Sequence, residues 1–341
     1  MRIALCTISF RHHLVSIGEL ARFARGHGFD GIELWGVHAR NLGPGDHAEW
    51  LAAYGLRVPM LSDYLPLDAP PEALTERTAE LARLAGSWGA PRLRTFAGTK
   101  GSATASAEER AHVARRLRMA AEQLADQGLR LVVETHPGTL ADTTGSLLDL
   151  LAAVDHPNLR VNFDTLHVWE GGDDPFAAHA RLSPHIDYYH LKNVRSRADL
   201  SVFEPANVYA AAGRREGMTA LFEGALDYGA FLKTLPPQAE ASLEWFGEAS
   251  FSVLPTDLFR VRTATAGRRG AAPPPRRALS GHSRRPPCPT ATPSSAPRMR
   301  AAISSSSAST GPTGSRPSSA RRTHGSRCRS ARRGSPPMPR P

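Results

Sequence analysis

The chain has 341 residues and a formal net charge of +10, a length that suits one large domain or two small ones. The excess sits at the end: residues 267–341 hold 16 arginines and no lysine, aspartate or glutamate, which leaves −6 for residues 1–266. A mildly acidic body argues against a surface that grips polyanions, and no run approaches the roughly 18 apolar residues of a membrane span.

The first apolar run, 3–10, lacks the basic leader and small-residue cleavage site of a signal peptide and leads into Arg11, His12 and His13. It reads as a buried strand carrying Cys6. With Cys288 and Cys328 near the far end, the cysteines form neither a disulfide framework nor a metal-binding spacing, so the expected location is the reducing cytoplasm. Ser16 and Glu19 have the spacing of a capping box, and Leu20 and Phe23 continue the apolar stripe as far as Gly28. Strands at 31–35 and 57–64 follow, with a helix at 48–54 between them, and a helix at 74–84 leads to a strand at 92–97. Ser106 and Glu109 repeat the capping box, ahead of Val113, Leu117, Ala120 and Leu124 on one face and Gly128 at the end. Strands at 130–136, 160–167, 186–192 and 241–246 then alternate with helices at 146–154, 175–182, 228–235 and 257–266.

Eight strand–helix pairs in about 265 residues have the repeat count and size of a (β/α)8 TIM barrel. Several strands are apolar at consecutive positions, as strands covered on both faces are. A doubly wound sheet is disfavoured because no glycine-rich loop follows the first strand. Residues 267–341 hold 14 of the 28 prolines, a serine run at 304–307 and almost no large apolar residues. Such a segment buries too little surface to offset its ordering entropy, which predicts a disordered basic tail. Its composition is that of a genuine tail or of a frameshifted terminus in GC-rich DNA. The expected organisation is a catalytic barrel at 1–266 and a tail at 267–341.

Active sites of such barrels lie at the C-terminal ends of the strands. Glu134 and His136 end the fifth strand, Asp164 and His167 the sixth, His190 and Lys192 the seventh, and Glu244 the eighth. A single acidic residue at a strand end is more often a cap or an ion-pair partner, and a single histidine more often a hydrogen-bonded one. Glu134, Asp164, His190 and Glu244 on successive strands change that balance, because three crowded carboxylates repel unless a cation shares the site. Oxygen-rich ligands with one imidazole suit Mn²⁺, Mg²⁺ or Co²⁺, and Mn²⁺ is the expected ion. Arg94 and Lys192 are the cations available to hold a substrate carboxylate, and Tyr64 is a wall or a hydroxyl donor. Glu33 is expected only to orient its neighbours, and His12, His13 and Glu170 to be structural or supporting. His38, His47, His156, His179 and His185 are expected in loops or at the surface.

The same stretches carry a resemblance. Leu-Cys-Thr-Ile-Ser-Phe-Arg-His at 5–12, Gly-Ile-Glu-Leu-Trp-Gly at 31–36, Glu-Thr-His-Pro at 134–137, Tyr-His-Leu-Lys-Asn at 189–193, the 203–213 loop and Ser-Leu-Glu-Trp-Phe-Gly at 242–247 are similar to the metal-dependent 3-dehydroshikimate dehydratases. These form protocatechuate on the xylose-isomerase-like barrel, in siderophore synthesis or aromatic catabolism. The resemblance implies a metal on Glu134, Asp164, His190 and Glu244, with His136, His167, Lys192, Arg94, Tyr64 and Tyr209 lining the substrate pocket. It fades after about residue 250, where Pro255 stands near the start of a helix expected to be short, which puts closure of the barrel in question. The implied reaction removes the proton at C4, beside the substrate's C3 ketone, and expels the C5 hydroxyl. His136 is the expected base, His167, Lys192 or the returning His136 the expected proton donor, and Arg94, with Lys192 as a second candidate, the carboxylate anchor. Three other readings are a sugar or hydroxy-acid isomerase or epimerase, an inactive barrel, and a nucleic-acid-associated protein acting through the tail. The mildly acidic body and a tail without stacking aromatics weigh against the last, so a small molecule is the expected partner, with neither membrane nor specific nucleic acid.

Overall fold

The computed structural model describes residues 1–42 and 45–266. The expected disordered tail, with Cys288 and Cys328, lies outside the described residues. Eight parallel strands close into a barrel: β1 (Arg2–Cys6), β2 (Gly31–Trp35), β3 (Leu61–Ser62), β4 (Arg92–Thr95), β5 (Arg130–Glu134), β6 (Leu159–Asp164), β7 (Ile186–Leu191) and, after a two-residue antiparallel ladder of β8 (Asn193–Val194) and β9 (Met218–Thr219), β10 (Glu240–Leu243). β1 pairs with both β10 and β2, so no edge is left open. Among the described residues no helix is long and apolar enough to cross a membrane.

Alternation along each strand distributes the side chains. Leu131 and Val133 of β5 enter the core beneath the helices, whereas Val132 packs with Met60 and Tyr188 in a separate cluster inside the barrel. Below that layer Arg92 ties Asp187 and Glu240 at 2.6 and 2.8 Å and closes the bottom. The layer above it, towards the C-terminal ends, is polar, and the register sets Asp164 beside His190 and Cys6 beside Glu33.

Both capping boxes form, at the helices Ile17–His27 and Ala107–Ala125, and Gly28 and Gly128 take the left-handed conformation expected of them. Several boundaries differ. Residues 7–10 turn into a 3₁₀ helix because Thr7 and Ser9 accept the backbone N–H groups of Trp35 and Trp245 with their side chains, at 2.9 Å each. The third strand shrinks to Leu61–Ser62 beyond Pro59, which has no N–H for a ladder. The sixth ends at Asp164, which caps the helix Thr165–Glu170, so His167 stands on a helix rather than a strand. The helix expected at 228–235 is only Tyr228–Phe231.

The last helix is not short. It runs Ser250–Thr265 with Pro255 inside and buries Leu254, Leu258 and Val261. Its start is fixed by Ser250, whose hydroxyl donates to the Ser9 carbonyl at 2.8 Å, and the barrel is closed. His47 and His179 are buried rather than at the surface: His47 packs on Trp88 with centroids 4.6 Å apart, and His179 bonds the Tyr189 hydroxyl at 3.0 Å.

Candidate active site

Glu134, Asp164, His190 and Glu244 come from β5, β6, β7 and the residue after β10, and all four are buried. His190 stands at their centre. Its Nδ1 lies 3.2 Å from Glu134 Oε1, 3.7 Å from Glu244 Oε1 and 3.8 Å from Asp164 Oδ2. Ligand atoms of Asp164, His190 and Glu244 fall within 4.8 Å of one another, as do those of Glu134, Asp164 and His167. Asp164 divides its work: Oδ1 accepts the Leu166 and His167 N–H groups at 3.0 and 3.2 Å, which leaves Oδ2 for the cluster.

Two cations stand against these carboxylates. Lys192 Nζ sits 2.6 Å from both Asp164 Oδ2 and Glu244 Oε2, and Arg94 Nε sits 3.0 Å from Glu134 Oε2. Burial opposes the charged forms of Lys192 and Arg94, yet the carboxylates outweigh it and both stay protonated well above their ordinary range. Burial likewise opposes ionisation of Glu244, but Lys192 and His190 hold its pKa down to about 2. Glu134 is held well below the carboxylate range in the same way, by Arg94 and His190.

With Glu33, also fully buried, the cluster counts four carboxylates against Arg94 and Lys192. If His190 is neutral, that leaves two negative charges uncompensated. In the structure the imbalance falls on His190: burial disfavours its charge, but Glu33, Glu244 and Glu134 raise its pKa well above the usual value. Glu134 Oε2 and Asp164 Oδ2 are close to cationic groups without being aligned for hydrogen bonds, and they are buried. Two missing positive charges, poorly satisfied carboxylate oxygens and one imidazole nitrogen facing them fit a divalent metal ion.

Beside this cluster a row of rings forms a wall. Phe96 packs at a tilt on His136 with centroids 4.2 Å apart, His136 lies 4.6 Å from His167, and His167 meets Phe203 at 5.5 Å. His136 Nδ1–H donates to the Pro137 carbonyl at 2.8 Å, because a carbonyl can only accept, so Nε2 keeps its lone pair. Burial and the neighbouring His167 lower its pKa to about 3, which makes it a neutral imidazole. His167 differs: its Nδ1–H donates to the Glu170 carboxylate at 2.7 Å, and its Nε2 turns to the cluster, 3.9 Å from Asp164 Oδ2. Arg94 Nη1 is buried without a hydrogen-bond partner, and its guanidinium lies 5.3 Å over the Tyr64 ring and 4.9 Å over Phe96.

The segment between β8 and β9 covers the mouth. Its Tyr209 hydroxyl meets that of Tyr64 at 3.1 Å, and Arg11 and His12 both donate to the Val208 carbonyl, at 2.6 and 2.9 Å. The structure thus gathers every residue expected at the site. Lys192 is set among the carboxylates instead of facing open pocket. Phe96, Phe203, Phe246 and Arg11 were not singled out from the sequence. An apolar ring two positions beyond a site residue, as Phe96 follows Arg94 and Phe246 follows Glu244, is the signal that finds the first and third.

A family of xylose isomerase-like TIM barrels matches residues 21–259 of the chain. The 3-dehydroshikimate dehydratase of Bacillus anthracis is 45% identical over 267 residues, 76% of this chain and 95% of the relative. The crystal structure of the probable 3-DHS dehydratase involved in petrobactin synthesis in Bacillus anthracis covers 77% of this chain and 99% of its own, with a TM-score of 0.74 and 45% identity. The inosose dehydratase of Geobacillus kaustophilus is 38% identical over 80 residues, 23% of this chain and 26% of the relative. The IolI protein, crystallised with a binding zinc atom, shares the fold at a TM-score of 0.62 and 14% identity, over 78% of this chain and 97% of its own. The chain belongs to the xylose isomerase-like TIM barrel family.

Proposed function

We propose that the chain is a metal-dependent hydro-lyase that converts 3-dehydroshikimate to protocatechuate and water. Residues 1–266 are its catalytic unit, it works in the cytoplasm, and its partner is the small-molecule substrate. The observation that carries the reading is the buried charge imbalance at Glu33, Glu134, Asp164 and Glu244, in a barrel 45% identical to a 3-dehydroshikimate dehydratase.

Glu134, Asp164, His190 and Glu244 would hold the ion, and their three carboxylates and one imidazole suit Mn²⁺. A divalent ion there supplies Lewis acidity that favours loss of a proton beside a ketone. The unpartnered Arg94 Nη1 takes the ring carboxylate, supported by the Tyr64 and Tyr209 hydroxyls. His136 Nε2, neutral and carrying a lone pair, accepts the proton from C4. The departing C5 hydroxyl needs a proton, and His167 Nε2, steadied by Glu170 on its other nitrogen, donates it; Lys192 holds Asp164 and Glu244 in place. Loss of a C6 proton and protonation of the ketone oxygen then complete the aromatic ring. The covering segment at 195–217 keeps bulk water from the site.

The test incubates the full chain with 3-dehydroshikimate, with and without Mn²⁺, and follows catechol absorbance. Protocatechuate formed only in the presence of metal supports the reading. Metal-loaded protein that leaves 3-dehydroshikimate intact but isomerises or epimerises sugars would move the chain to that chemistry.

A further inference from the structure

We propose that Glu33 is a positioning residue that fixes which edge of His190 meets the metal, an inference that rests on Glu134, Asp164, His190 and Glu244 being the ligands. Glu33 rises from β2, three strands around the barrel from β7, and both its side chain and that of His190 are fully buried. His190 Nε2 lies 3.0 and 2.9 Å from the two Glu33 oxygens. A carboxylate only accepts, so Nε2 donates to Glu33 and Nδ1 donates to Glu134 Oε1; an ion held by the ligand set would take the place of the Nδ1 hydrogen, while Glu33 keeps the one on Nε2. The other ring nitrogen is thereby turned to Glu134, Glu244 and Asp164, at 3.2, 3.7 and 3.8 Å. Ser62, beside Glu33 on β3, donates its hydroxyl to Glu33 Oε1 at 2.5 Å and fixes the carboxylate in turn.

A purely structural role explains Glu33 poorly. Desolvating a carboxylate costs several kcal/mol unless a cation and hydrogen bonds compensate it, and among the described residues no arginine or lysine forms an ion pair with Glu33; its pairing is with His190. An apolar side chain would fill the same space without that cost. The carboxylate becomes useful when a cation stands on the far side of the imidazole. It then selects the tautomer, makes the ligating nitrogen more basic and adds negative charge near the ion. Such outer partners typically change metal affinity by about 10–100-fold.

The experiment compares wild type with Glu33→Gln, Glu33→Leu and Ser62→Ala as full chains. Mn²⁺ alone is titrated into metal-free protein by calorimetry, and circular dichroism on the same samples reports folding. Glu33→Gln should keep the fold and weaken Mn²⁺ binding about 10-fold or more, Glu33→Leu should weaken it further, and Ser62→Ala should do so mildly. At saturating Mn²⁺ most of kcat should return in Glu33→Gln, with KM for 3-dehydroshikimate unchanged, which a general loss of structure would not produce. If wild type binds Mn²⁺ and folded Glu33→Gln binds it equally well, the inference is overturned while the ligand set stands. A Mn²⁺ ion found in direct contact with Glu33 overturns it as well. Wild type that takes up no Mn²⁺ overturns the ligand set, and the role of Glu33 with it.

Discussion

Replacing Asp257 with asparagine should stabilise the barrel at pH 8 and change little near pH 4. Asp257 lies on the last helix, is 5% exposed, and accepts the Leu221 N–H at 2.9 Å. Burial raises its pKa from 3.8 to about 6, with the Leu221 bond and Arg260 only partly opposing it. The unfolded chain releases this proton near 3.8, so between the two values the folded state binds the extra proton. The stability it contributes is complete below about pH 4 and is lost as the pH rises through about 6. At 1.36 kcal/mol per pKa unit the loss is bounded at about 3 kcal/mol. Asparagine keeps an oxygen for Leu221 and does not ionise, so Asp257→Asn should gain about 1–3 kcal/mol at pH 8, or roughly 2–4 °C in Tm for each kcal/mol. Urea unfolding at pH 4 and pH 8, at matched ionic strength, reads the difference. Equal stabilisation at both pH values, or a loss at pH 8, refutes the reasoning.

His136→Ala should retain the metal and lower kcat by about 10²-fold or more, the scale of an acid–base group; near-normal turnover removes it as the base. Arg94→Met leaves the Glu134 carboxylate without its cation, so metal-free protein should lose about 3–5 kcal/mol and regain part of it on Mn²⁺ addition. KM for the substrate should also rise, and an unchanged KM contradicts the docking of the ring carboxylate. Tyr209→Phe removes one hydroxyl from the covering segment and should cost about 1 kcal/mol of transition-state binding, read in kcat/KM with the fold intact. A loss of many kcal/mol would make Tyr209 structural instead.

The barrel was legible because its signals are local. The apolar runs, the two capping boxes and the glycines that follow them each specify an element within a few residues. The polar rim was legible for the same reason, since Glu134, Asp164, His190 and Glu244 stand at the same end of successive strands. What could not be read depends on contacts distant in sequence. That Glu33 orients a neighbour was expected, but its partner, His190, stands 157 residues away and is not visible locally. The segment between β8 and β9 is held by Arg11 and His12, nearly two hundred residues earlier. His47 and His179 look like loop or surface residues until Trp88 and Tyr189 pack on them. Pro255 suggests a broken helix locally, but Leu254, Leu258 and Val261 bury a stripe that holds the helix on the barrel.

The most direct test is anomalous diffraction from crystals of the chain grown with Mn²⁺. One manganese peak enclosed by the Glu134, Asp164 and Glu244 carboxylates and by Nδ1 of His190 is the predicted result. A peak elsewhere, or none between those side chains while Lys192 still bridges Asp164 and Glu244, would contradict the assignment.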